Sequence, residues 1–98
     1  MTNIVFHPLA EGELFDATVY YEKQEKGLGQ QYLEEVENLV NFLRRYPQAG
    51  SIVQGSIRRL ILPKFPYSLL YRILENNQIR VLALAHHKRR PEYWINRD

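Results

Sequence analysis

The stretch Tyr67-Ser68-Leu69-Leu70-Tyr71-Arg72-Ile73-Leu74-Glu75-Asn76-Asn77-Gln78-Ile79-Arg80-Val81-Leu82-Ala83-Leu84-Ala85-His86-His87 decides the architecture. It holds two runs with a period of two, the strand signature, on either side of four polar residues. In the first run Tyr67, Leu69, Tyr71 and Ile73 share one face, and Ser68, Leu70, Arg72 and Leu74 the other. In the second, Ile79, Val81, Ala83, Ala85 and His87 share a face opposite Arg80, Leu82, Leu84 and His86. Glu75 to Gln78 is turn chemistry, because asparagine tolerates the left-handed conformations of tight hairpins. Upstream, Ser56 to Leu62 has the same period, and Pro63 and Pro66 bound the turn after it. Three antiparallel strands in a meander are predicted.

Further upstream the period lengthens. Tyr32, Val36, Leu39 and Leu43 recur at spacings of four, three and four, one stripe of an amphipathic helix. Tyr46-Pro47 to Gly50 ends it, since Pro47 cannot continue the hydrogen-bond ladder. Ala10, Leu14, Ala17 and Tyr21 form the stripe of an earlier helix, and Pro8 suits its first turn. Gly27 and Gly29 break the pattern between the two helices, which predicts a helical hairpin. Thr2 to His7 reads as a short strand before it. Lys88 to Asp98 has no period and is expected to pack through Tyr93 and Trp94. The expectation is an α+β fold: an N-terminal strand, a two-helix hairpin, then a three-stranded antiparallel meander, in a single domain over residues 1–98 with one modest core.

Composition narrows the function. The chain has no cysteine, which excludes disulfides, thiolate zinc sites and cysteine nucleophiles and suits a reducing cytoplasm. Met1 to Pro8 lacks the basic flank and apolar run of a signal peptide, and no later run reaches the ~20 apolar residues that span a bilayer. A cytoplasmic protein without a membrane partner is expected. The net charge of +2 hides an asymmetry. Residues 1–49 carry eight acids against four bases, net −4; residues 50–98 carry three acids against nine bases, net +6. The basic half is the one suited to a polyanion or an acidic protein.

Five segments taken together resemble the RelE/ParE superfamily of type II toxin–antitoxin toxins. They are Ala10-Glu11-Gly12-Glu13-Leu14-Phe15-Asp16-Ala17 running on to Tyr20-Tyr21-Glu22; Tyr46-Pro47 to Gly50; Ile57-Arg58-Arg59-Leu60; Phe65-Pro66-Tyr67-Ser68 to Tyr71-Arg72; and Ala85 through Trp94. Their order and spacing carry the likeness, which covers essentially the whole chain. The resemblance implies a RelE/ParE-like fold and a cognate antitoxin that neutralises the toxin by laying a segment into an apolar groove. Operator DNA would be met only through the antitoxin complex. One branch of the superfamily inhibits DNA gyrase; another cleaves messenger RNA on the ribosome. The Arg-Arg-Pro-x-Tyr-Trp ending, Arg89 to Trp94, is similar to ParE-like proteins annotated for plasmid stabilisation, and the central strands lack the lysine cluster of the RelE type. Gyrase inhibition is therefore the expected activity. An mRNA endonuclease is the alternative, and an inactive toxin-like interaction module the third reading.

The readings use different residues. Metal-free RNA cleavage needs a base for the 2′-hydroxyl, cations for the phosphorane and an acid for the leaving oxygen. His86, Arg58 and Tyr93 are the candidates for those roles. His86 is preferred to His87 because the period places it on one face with Arg80. Target binding would fall to Arg59, Arg72, Lys88, Arg89, Arg90 and Trp94. Three consecutive cations at Lys88 to Arg90 add little to folding, while arginine forks match phosphate and carboxylate. Against these stand plainer roles: a strand-end histidine bonded to a loop, one of Arg58 and Arg59 in a structural contact, and Tyr93 and Trp94 pinning the tail. The histidines lack the spacing of a metal site, and neither metal nor cofactor is expected.

Overall fold

The computed structural model describes residues 2–98. In chain order the elements are β1 (Ile4–Phe6), α1 (Pro8–Gln24), α2 (Leu28–Arg45), β2 (Ser51–Gln54), β3 (Ile57–Ile61), β4 (Tyr67–Ile73), a 3₁₀ turn (Glu75–Asn77) and β5 (Ile79–His86). They build a five-stranded sheet of order β1-β5-β4-β3-β2. Strands β2 to β5 are antiparallel neighbours, and β1 joins β5 in parallel. The meander thus has four strands where the sequence predicted three. The extra one, β2, is a short edge strand, exposed throughout and irregular between Ile52 and Gln54, so no alternating burial pattern marks it. Ser56, expected to start a strand, lies in the turn between β2 and β3.

Local chemistry sets the helix ends. Pro8 occupies the first turn of α1, and His7 caps it by accepting the Leu9 N–H at Nδ1, 3.0 Å. Glu22 reaches from α1 to the start of α2, where its carboxylate accepts the N–H groups of Gly27 and Gly29. A Cβ at Gly29 would stand 2.5 Å from the Thr18 carbonyl oxygen, so glycine is what lets the helices approach here.

The sheet is buried on both faces. The helices cover one with Ala10, Ala17, Tyr32, Val36 and Leu43, packed on Leu69, Tyr71, Ile79, Val81 and Leu84. Edge-to-face contacts join Tyr32 to Phe65 and Tyr67 there, with ring centres 5.2 Å apart in both pairs. The opposite face carries a second cluster of Ile57, Leu70, Leu82, Ala83 and Ala85, and Trp94 from the C-terminal segment covers it. Burial on both sides explains why β5 reads as a nearly continuous apolar run.

A β-bulge divides β5. Leu70 pairs with Ala83 but Tyr71 pairs with Val81, so β5 holds one extra residue, Leu82. Leu82 and Ala83 both enter the second cluster, and the alternation resumes one residue out of step. The single-face reading of Ile79 to His87 is therefore corrected. Ile79, Val81 and Leu84 face the helices, whereas Ala83 and Ala85 face the tail.

Candidate functional site

The strand period separates two pairs of neighbouring residues. Arg59 pairs with Leu70, and directly opposed residues share a face, so Arg59 lies on the tail side. Arg58 pairs with Tyr71 on the helix side. There its Nη1 donates to the carbonyl oxygens of Gln48 (3.1 Å) and Gly50 (2.8 Å), tying down the exit from α2. Tyr71 works at the same place: its hydroxyl accepts the Gly50 N–H at 2.8 Å and donates to the Pro47 carbonyl at 2.7 Å. A Cβ on Gly50 would meet that ring at 2.8 Å. Arg58 is thus a structural clamp.

The histidines split likewise. His86 pairs with Tyr67 and stands edge-on to its ring at 5.0 Å, while its Nδ1 accepts the Lys88 N–H at 3.0 Å. His87 turns to the other face, with Nε2 3.0 Å from the hydroxyl of the buried Ser68. Arg80 pairs with Arg72 on that face, and its Nε donates to the Asp98 carbonyl at 2.9 Å. The shared face of His86 and Arg80 that favoured His86 therefore does not exist, because the bulge lies between them.

A pocket of about 530 Å³ opens on the tail side of the sheet. Val53, Ile61 and Leu70 floor it, Arg59, Ser68 and His87 supply its polar wall, and the tail from Arg89 to Trp94 forms its rim. On this floor Ile61 is 58% exposed, and Val53 of the adjoining edge strand is exposed as well. An open apolar floor beside several arginines suits a partner that brings apolar and anionic groups together.

The tail is held by one helix residue. Glu13 of α1 accepts the Tyr93 hydroxyl at 2.7 Å and two guanidinium bonds from Arg97, at 2.9 and 3.1 Å. The Arg89 guanidinium lies 3.6 Å from the same carboxylate and 4.0 Å from the centre of the Tyr93 ring. Burial first, then the hydrogen bond and charge of Glu13, push the Tyr93 hydroxyl above the ordinary tyrosine range, against the lowering pull of Arg89 and Arg97. Tyr93 is therefore a poor acid.

Of the residues proposed from sequence, Arg59, His86, Arg89, Arg90, Tyr93 and Trp94 all line the pocket. Trp94 does so from a buried position, 8% exposed, so its ring closes the second core and does not stand free to stack on a target. Arg58, Arg72 and Lys88 are not among the lining residues. Arg72 sits four residues along β4 from Ser68, roughly 13 Å. The nuclease trio does not assemble: Arg58 is spent on carbonyls and Tyr93 on Glu13. Sequence reasoning missed His87 with Ser68, and Glu13 with Arg97. The first pair depends on the bulge, and the second joins residues 84 positions apart, so neither leaves a local signal. Among the described residues no group of three or more His, Asp or Glu is placed to hold a metal, and no helix is long and apolar enough to cross a membrane.

With this geometry in hand, comparison with solved structures finds the same fold in a chain described as the chromosomal ParDE TA system from P. aeruginosa. It is 18% identical, covers 88% of this chain and 96% of its own, and superposes with a TM-score of 0.64. Among curated proteins no match was found. The family model for the ParE toxin of the type II toxin–antitoxin system parDE matches residues 4–91, and the chain belongs to that family.

Proposed function

We propose that this ParE-family toxin arrests growth by binding DNA gyrase through the open face of its sheet, without turnover of its own. The observation that carries this reading is the gathering of Arg59, Arg89 and Arg90 around one apolar-floored pocket, while of the trio His86, Arg58 and Tyr93 the arginine is bonded to backbone on the opposite face and the tyrosine hydroxyl is taken by Glu13. RNA cleavage needs base, cation and acid within reach of a single phosphate. Binding needs only a surface that is apolar at its centre and charged at its rim.

A cognate antitoxin is the second partner in this reading. The exposed Val53 and Ile61 beside the arginines suit a segment carrying apolar and acidic side chains, and covering that face would block the target. Operator DNA is contacted through the antitoxin complex, and the setting is the cytoplasm.

The test pairs two reactions of the purified protein. Added to DNA gyrase and plasmid, it should accumulate broken DNA; in a bacterial translation extract programmed with ready-made messenger, it should leave the RNA whole. Messenger cut within ribosome-occupied codons, with gyrase unaffected, would overturn the proposal in favour of the endonuclease.

A further inference from the structure

We propose that Glu13 is a positioning residue: its carboxylate holds the C-terminal segment and Arg89 against the body of the protein in the arrangement that acts on the target. The activity arm of this proposal rests on the toxin reading above; the positioning rests on geometry alone. Strand β1 pairs with β5 only as far as Val81, so among the described residues no strand lies beside the outer edge of β5 from Leu82 onward. Backbone groups on such an edge need other partners. Glu13 Oε1 accepts the Leu84 N–H at 3.0 Å, and Arg97 Nη1 donates to the Leu82 carbonyl at 3.0 Å. Joined to each other by two bonds, the two side chains stand where the next strand would lie and satisfy the edge as it would. Both are largely buried, with side chains 13% and 11% exposed, so the pairing is little screened by solvent.

The same carboxylate organises what lies outside. Its Oε2 receives the Tyr93 hydroxyl and faces Arg89, whose side chain is 55% exposed and rests on the Tyr93 ring. Arg89 is therefore not a freely solvated cation: ring and carboxylate together fix where its guanidinium stands at the rim of the pocket. No nearby residue in sequence does this. The tail is tied to the helix through contacts 80 and 84 positions apart, all converging on one side chain. If Glu13 loses its charge, Tyr93, Arg89 and Arg97 lose their common anionic partner at once, while the helix-side core stays packed.

Glu13→Gln in the full chain keeps the shape and an acceptor oxygen but removes the charge. The expected result is a native circular dichroism spectrum with Leu84 amide exchange faster by roughly tenfold or more. In a site-resolved NMR titration the Tyr93 ring should ionise at lower pH than in the native chain, and growth arrest on expression should be lost. Unchanged Leu84 exchange and Tyr93 titration would overturn the proposal, as would full growth arrest by a variant in which both had shifted. If the native chain itself arrests no growth, the toxin reading fails, and the exchange and titration results still decide the positioning. Should Glu13→Gln not fold, Arg97→Gln, which removes the two bonds that hold the Glu13 carboxylate, is read by Leu84 amide exchange, and no change there contradicts the lock.

Discussion

The two faces of the sheet are closed by different means. On one, two helices bring a mesh of aromatic and aliphatic side chains that leaves Tyr32, Leu69, Tyr71 and Val81 fully buried. On the other, a single turn-rich segment lays Trp94 over a smaller cluster and leaves the rest as an open pocket. The helix face spends its polar residues on structure: Arg58 and Tyr71 bond the backbone between Pro47 and Gly50. The tail face leaves Arg59, His87 and Arg90 exposed. Alternation along a strand thus sorts Arg58 from Arg59 and His86 from His87, one of each pair to packing and the other to the open surface.

Substitutions can break or sharpen this contrast. The largest effect is expected at Trp94→Ala, which should cost about 3–5 kcal/mol in denaturant unfolding because it removes the cover of the second core. A cost below about 1 kcal/mol would mean that the tail closes nothing. Tyr71→Phe leaves the buried Gly50 N–H without its acceptor and should cost about 1–3 kcal/mol by the same measurement. Smaller again, Arg58→Ala should lower stability by roughly 1–2 kcal/mol. Its neighbour Arg59→Ala should change stability by less than about 0.5 kcal/mol yet weaken growth arrest. If Arg58→Ala proved neutral and Arg59→Ala destabilising, the assignment of the two faces would be reversed.

Much of the fold was legible in the sequence because it rests on periodicity. The stripe Tyr32, Val36, Leu43 is buried as its spacing predicts, and β4 alternates as read. The parallel docking of β1 was not legible, since three residues carry no pairing signal, nor was the exposed edge strand β2. The bulge at Leu82 did the most damage. It is one inserted residue in an apolar run buried on both faces, where hydrophobicity cannot reveal a change of phase, and it moved both histidines to the faces opposite those expected. The basic rim at Arg89 and Arg90 could be seen directly as a charge run. Glu13 could not, because on a helix already rich in acids nothing local distinguishes the one that meets Arg97.

The central claim is that binding by the cationic rim, with no histidine chemistry, produces the toxicity. The most direct test is a gyrase-dependent DNA breakage reaction run with the native protein, with Arg89→Ala/Arg90→Ala and with His86→Ala. The account predicts that the double arginine variant loses activity by roughly tenfold or more, the equivalent of ~1.4 kcal/mol of lost binding, while His86→Ala breaks DNA as the native protein does. Full activity without the two arginines, or its loss with the histidine alone, would contradict it.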